Sequence, residues 1–382
     1  MKIAYVSTFD ARLVQSWSGL GYYIAKAIEN SGIEIEYIGP LKEKNSLFYK
    51  AKQFFYKEIF KKRHIRQSEP EILKENARQI SKRLKEINPD IVFSVWSYPI
   101  AYLECKQPIV FTADATFPLM RDYYGDFSNL SDSTIKNSND MEQSALNRAS
   151  AVIYCSEWAA NSAIKDYGIS REKVHVVPYG ANIDSAPTKE QIEDFVAKRS
   201  ENKICKLLFL GVDWHRKGGE IAYNTMLELN KRGIPAELTV CGCIPPEEYT
   251  HSQVTVIPFL DKKESADREH FNRLLQDSHF LLLPTRKEAY GLVFCEASAY
   301  GLPSITTDTG GVSQIIHNGV NGYTLSLESG AKEYADIIAG LWADKERYKA
   351  LAYSAHNEYQ KRLNWEAAGK SIKLLLEKLL LK

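Results

Sequence analysis

Short apolar runs alternate with amphipathic stretches along nearly the whole chain. Strand-type runs fall at 2–7, 34–38, 91–95, 109–111, 151–155 and 174–177, and helical periodicity separates them at 20–30, 71–86 and 131–149. A polar, charged stretch at 183–203 with a short helical pattern interrupts the series. A second series follows, with strand-type runs at 207–211, 238–240, 254–257, 280–283 and 304–306. Strands alternating with helices predict parallel sheets built from right-handed crossovers. The fold class is therefore α/β, with two doubly wound, Rossmann-like domains. The expected boundaries are 1–182 and 183–363, with a leucine-rich amphipathic helix at 364–382. Two such domains in one chain leave a cleft between them, and parallel sheets bind ligands beyond the carboxyl ends of their strands.

Composition removes several function classes. The 382 residues exceed one ordinary core. Lys plus Arg number 49 against 48 for Asp plus Glu, a net charge of +1 that gives no support to nucleic-acid binding. No apolar run approaches the roughly 20 residues that span a bilayer. The first residues meet Asp10 too soon for a secretory signal, so a cytoplasmic location is expected. Six cysteines show no paired metal spacing, and Cys155 and Cys295 lie in apolar segments as buried thiols would.

Chemistry concentrates around glycines. Gly19-Leu-Gly21 opens a helix, but Ile24 stands where a dinucleotide fingerprint needs its third glycine. The loop is either a plain turn or a phosphate-binding helix start. In LFLGVDWHRKGGEIA, Arg216 and Lys217 precede Gly218-Gly219 and a helix. Cations are badly placed at a helix N-terminus, where the dipole is already positive, unless an anion sits among them. A diphosphate suits guanidinium, ammonium and helix N–H groups together; a solvated basic loop is the plainer alternative. In PTRKEAYGLVFCEA, a strand stopped by Pro284 leads through a loop with Glu288 into a helix from Gly291 that carries Glu296. A carboxylate offers two parallel acceptors to a vicinal diol, so the pair suits sugar and ribose hydroxyls. Taken singly, the two read as a helix-dipole partner and a surface charge.

Glu288 through Glu296 resemble the E-x7-E signature of family 4 glycosyltransferases, retaining enzymes with the GT-B fold. The stretch from PTRKEAYGLVFCEA to HNGVNGY is similar to that family's donor-binding region, and VDWHRKGG to its diphosphate loop. SAVIYCSEW and VHVVPYGANID resemble the strands before its interdomain linker, and SGLGYYIAKAIENSG its N-terminal glycine loop. The resemblance implies that Lys217 and Arg216 neutralise a donor diphosphate and that Glu288 holds the transferred sugar. Main chain of Tyr290, Gly291, Leu292 and Val293 would contact sugar and phosphate, Glu296 the ribose, and main chain at Phe259 and Leu260 the base. Gly19 would touch the donor from the first domain, and the last helix would pack back on that domain. Two departures stand out. Val212 replaces a frequent arginine, and Asp114, in FTADAT, stands where many relatives carry a histidine.

The implied reaction is retaining transfer of a hexose, UDP-glucose being the donor that family frequency selects, to a saccharide or lipid-linked saccharide. The nucleotide sugar is a substrate; no separate cofactor is implied. No Asp-x-Asp pair occurs in the chain, so no metal ligands are expected. A sugar-nucleotide epimerase on the same fold, or a silent nucleotide-sugar-binding module, are the alternatives. Residues 50–66, KAKQFFYKEIFKKRHIR, carry seven Lys or Arg against Glu58, with Phe54, Phe55, Ile59 and Phe60 on or near one helical face. They suit either peripheral contact with an anionic membrane at its inner face or a helix that docks its aromatics on its own core.

Overall fold

The computed structural model describes residues 1–43 and 46–381. The chain divides into two compact units, Met1–Tyr179 with Trp365–Lys382, and Gly180–Asn364.

In the first unit the order is β1 Lys2–Val6, α1 Leu20–Asn30, β2 Glu34–Ile38, α2 Ser46–Ile59, α3 Pro70–Ile87, β3 Ile91–Val95 and β4 Ile109–Ala113. α4 Phe117–Met120, α5 Asp132–Arg148, β5 Ala151–Tyr154, α6 Glu157–Tyr167 and β6 Val174–Val176 follow. The strands form one six-stranded sheet of order β2-β1-β3-β4-β5-β6, every pair parallel. β3, β4 and β5 are buried along their full length, as strands covered by helices on both faces must be. Helix starts follow local chemistry: Ser131 accepts from the Thr134 N–H at α5, and Ser156 from the Ala159 N–H at α6.

The second unit runs α7 Lys189–Glu201, β7 Cys205–Leu210, α8 Gly219–Lys231, β8 Ala236–Cys241, β9 Val254–Ile257, α9 Ser265–Asp277 and β10 Phe280–Leu283. It continues through α10 Leu292–Ala299, β11 Ser304–Thr307, β12 Gly322–Leu325, α11 Ala331–Ala343 and α12 Lys345–Arg362. Its parallel sheet has the order β12-β11-β10-β7-β8-β9. Counted from β7, that is the 3-2-1-4-5-6 arrangement of a doubly wound nucleotide-binding sheet. Buried His279 ties α7 to this sheet. Its Nδ1 accepts from the Lys206 N–H at 3.0 Å, so Nε2 donates to the Arg199 carbonyl at 2.7 Å.

α13 Trp365–Leu380 closes the chain and lies on α1. A Cβ on Gly369 would stand 2.3 Å from the Ala27 carbonyl oxygen, so only glycine permits this approach. The Trp365 ring stacks on both Tyr23 and Tyr179.

Two sequence expectations change. β12 has no counterpart among the expected strands, because its glycine reads as a turn. Gly322 is needed there: a Cβ would fall 2.0 Å from the Ser304 carbonyl oxygen of the neighbouring strand. The basic segment is helical only to Ile59; Lys61 is left-handed (φ 51°) and Arg63 bridges to Leu130. Its aromatics do not dock on the core either, since Phe54, Phe55, Ile59 and Phe60 are all exposed.

Candidate active site

In the second sheet the chain winds outward in opposite directions from β7 and β10, and the loops beyond the carboxyl ends of these two strands define its switch point. Both loops are those singled out in the sequence. The first follows Gly211. There a turn brings the Lys217 N–H to the Asp213 carbonyl and the Gly219 N–H to the Trp214 carbonyl. Gly218 then caps α8 in a left-handed conformation, φ +76°. A Cβ on Gly218 would sit 1.9 Å from the Pro284 carbonyl oxygen, so glycine lets this loop press against the end of β10.

The second loop runs from Pro284 to Gly291, which caps α10 at φ +99°. The loops are stitched together: the Arg286 N–H donates to the Arg216 carbonyl at 2.7 Å, and the Arg216 guanidinium to the Lys287 carbonyl at 3.1 Å. Across this seam the Lys217 ammonium donates to Glu288 Oε2, a pair whose side chains are 11% exposed each. The N-cap residues of α8 and α10 are glycines, Gly218 and Gly291, which carry no capping side chain of their own. The two helices start directly after the loops that carry Lys217 and Glu288, so the positive ends of their dipoles lie beside those loops.

Glu296 lies on α10, 4% exposed, and accepts from Lys262 Nζ at 2.8 Å. The same ammonium stands 3.8 Å from the centre of the Phe271 ring. Sequence reasoning passed over Lys262, although it follows shortly after the expected base-reading residues. Of those, Phe259 is 65% exposed and Leu260 half-buried. Tyr290 is buried, and Gly291, Leu292 and Val293 are half-buried at the start of α10. Lys217, Arg216, Glu288 and Glu296 thus gather with these residues in one unit.

Asp114 and Gly19 belong to the other unit. Asp114 follows β4 and lines a cavity of about 1220 Å³ with Trp17, Trp96, Tyr98 and Glu142. Gly19 starts α1, where Tyr5 donates from its hydroxyl to the Gly21 carbonyl at 2.8 Å. Glu142 is buried. Its Oε2 accepts from Ser97 at 3.0 Å, its Oε1 has no hydrogen-bond partner among the described residues, and burial pushes its carboxyl up to about 7. Among the described residues no group of three or more His, Cys, Asp or Glu is placed to hold a metal ion.

Two family models match the chain. Residues 22–185 match the model for Glycosyltransferase Family 4, and residues 205–344 that for Glycosyl transferases group 1. The chain belongs to glycosyltransferase family 4. The D-inositol 3-phosphate glycosyltransferase of Xylanimonas cellulosilytica is 21% identical to it over 246 residues, covering 60% of this chain and 57% of that one. The chain thus spans a little over half the length of this curated relative. Among solved structures, the sucrose-phosphate synthase of Thermosynechococcus elongatus superposes with a TM-score of 0.69 at 16% identity, over 100% of this chain and 99% of that one. HepE of Anabaena, solved in complex with UDP-glucose, superposes with a TM-score of 0.63 at 14% identity, over 99% of this chain and 100% of that one. These likenesses establish the GT-B fold for this family 4 chain.

Proposed function

We propose that the protein is a retaining glycosyltransferase that moves a hexose, glucose, from UDP-glucose to a saccharide or lipid-linked saccharide. The donor binds the second unit and the acceptor the first. The reading assigns the donor diphosphate to Lys217, Arg216 and the N–H groups of α8 and α10. Glu288 accepts from hydroxyls of the transferred sugar, Glu296 from the ribose, and main chain at Phe259 and Leu260 meets the base. Gly19 and Asp114 serve from the first unit. The protein works on the cytoplasmic side and touches the inner membrane face through residues 50–66.

The chemistry follows from charge. Breaking the anomeric bond leaves negative charge on the diphosphate and positive charge on the sugar ring. Lys217, Arg216 and two helix dipoles stabilise the former, each such donor being worth about 3 kcal/mol of barrier. The acceptor attacks the face from which the diphosphate leaves, and the leaving phosphate takes its proton. Sugar binding gives Glu288 hydroxyl donors as the diphosphate draws Lys217, so neither charge is left unpaired. The observation that carries the reading is the Lys217–Glu288 pair at the sheet's switch point, between two helices whose N-cap residues are glycines.

A thermal-shift screen across UDP, ADP, GDP and CDP tests the donor. Saturation at 100 times Kd stabilises by about 2.7 kcal/mol, so UDP should raise the midpoint by several degrees and the others less. No shift with any of them would contradict a nucleotide site.

A further inference from the structure

The first sheet has a switch point of its own. Its order, β2-β1-β3-β4-β5-β6, winds outward from β1 and β3, and such sheets take ligands in the crevice beyond the carboxyl ends of those strands. Two tryptophans stand there, Trp17 in the loop after β1 and Trp96 directly after β3. Their ring centres lie 5.0 Å apart at 63°, so the rings form a corner, and Phe9 and Tyr98 extend the aromatic surface from Trp96. Both tryptophans are half-buried, line the cavity of the first unit and hold left-handed backbone, φ 50° and 68°. That conformation strains a bulky residue and persists at ligand sites.

Beside the corner stands Glu142 of α5. Its Oε2 accepts from Ser97, the residue after Trp96, and its Oε1 has no hydrogen-bond partner among the described residues. The residue lines the same cavity, although it is only 4% exposed. No cation offsets its burial, since the Ser97 hydrogen bond alone opposes the rise to about 7. Such a group is half protonated at neutral pH and meets a hydroxyl as donor or as acceptor. Leaving a buried acceptor unpaired is costly, and a ligand hydroxyl removes that cost. The rest of the lining is nearly balanced in charge: five Lys or Arg and, apart from Glu142, four Asp or Glu. Three of the cations pair within the wall, Lys61 with Glu58, Arg63 with Asp126 and Arg66 with Glu43.

We propose that this corner binds an uncharged pyranose ring, its C–H face against Trp17 and Trp96 and one hydroxyl on Glu142, and that Glu142 thereby selects the acceptor. That the sugar is the acceptor rests on the transferase reading; the subsite itself does not. Aromatic ring faces carry negative potential and suit the weakly positive C–H groups of a sugar. An acidic sugar would bring its carboxylate near Glu142 and Asp114, both close enough to act on the Tyr98 hydroxyl, and like charges repel. A site built to hydrogen-bond a hydroxyl rejects a ligand without it far more strongly than an apolar pocket rejects a missing methylene.

The test is isothermal titration calorimetry of the full-length protein with glucose, galactose and N-acetylglucosamine, and with glucuronate and glucosamine as charged counterparts. At least one uncharged sugar should bind wild type, and both charged sugars at least tenfold more weakly. Glu142→Leu, which removes the hydrogen bond, and Trp17→Ala, which removes one wall, should each weaken that binding at least tenfold. Glu142→Gln keeps a donor and an acceptor and should stay within about threefold. Thermal midpoints show which variants fold; should Glu142→Leu not fold, Trp17→Ala decides. No binding of any uncharged sugar, or a charged counterpart that binds as tightly, overturns the proposal. So does wild-type affinity in a folded Glu142→Leu or Trp17→Ala, which would leave Glu142 to the core alone. A loss in Glu142→Gln as large as in Glu142→Leu also overturns it, because the ionised carboxylate would then be what binds. Sugar binding without any UDP-induced thermal shift in wild type leaves the subsite standing and removes the transferase reading; a UDP shift without sugar binding does the reverse.

Discussion

Lys217 and Glu288 stand 71 positions apart in sequence, yet the ammonium of one donates to the carboxylate of the other in a nearly buried pair. Two charges withdrawn from water are costly unless each satisfies the other. Each thus meets in the other a stand-in for the proposed donor: Lys217 faces a carboxylate where a diphosphate would bind, and Glu288 an ammonium where sugar hydroxyls would donate.

Removing one partner strands the other. Lys217→Met and Glu288→Gln should each destabilise the second unit by about 3 kcal/mol, whereas the double variant should lose much less than the sum. Chemical denaturation of the four proteins completes the cycle. Additive losses would mean that the pair does not couple.

Lys262 fixes Glu296 from one side and is itself held over Phe271. Glu296→Ala and Lys262→Ala should both raise the donor KM about tenfold and leave kcat within about threefold, because their contact lies away from the reacting carbon. A fall in kcat with KM unchanged would place Glu296 in the chemical step instead.

Gly218 holds the seam between the two loops. In Gly218→Ala the left-handed backbone costs about 1–2 kcal/mol, and the new methyl also meets the Pro284 carbonyl. The variant should melt well below wild type and lose its UDP-induced shift. Gly340→Ala, inside α11 with no neighbour in reach of a Cβ, is the control; alanine is favoured there by about 1 kcal/mol, so it should melt at or slightly above wild type and keep its UDP-induced shift.

Glu142 makes stability depend on pH. Its carboxyl is raised from 4.5 to about 7 by burial, with the Ser97 hydrogen bond pulling the other way. The folded state then keeps a proton that the unfolded chain gives up, so this contribution is fully present below pH 4.5. It is lost as pH rises to about 7, on the order of 3 kcal/mol in all. Glu142→Gln cannot ionise and should be more stable than wild type at pH 8, with the advantage shrinking at pH 5. Identical pH dependence of the urea midpoints would rule this out.

Much of the fold could be read from pattern alone, because buried parallel strands such as Ile91–Val95 and Phe280–Leu283 are continuous apolar runs bounded by turn residues. Gly322–Leu325 escaped, since its glycine serves a close contact with β11 that no local pattern reveals. In the candidate site, Lys217, Glu288 and Glu296 were legible as charges set against glycines and helix starts. Their pairing was not: which cation meets which carboxylate depends on the strand order that brings β7 beside β10. Lys262 shows the same limit, because its role is set by a helix 34 positions away. The aromatic segment could be read in two ways from its periodicity, and the exposure of Phe54 and Phe55 removes only the reading in which they dock on their own core.

The most direct measurement is the release of UDP from UDP-glucose by the purified protein, compared with Lys217→Ala and Glu288→Gln variants shown by circular dichroism to be folded. Wild type should release UDP measurably, with or without a chelator, and each variant should fall about 100-fold, the effect of one lost charge contact of about 3 kcal/mol at the reacting centre. Wild-type rates in either variant would contradict it.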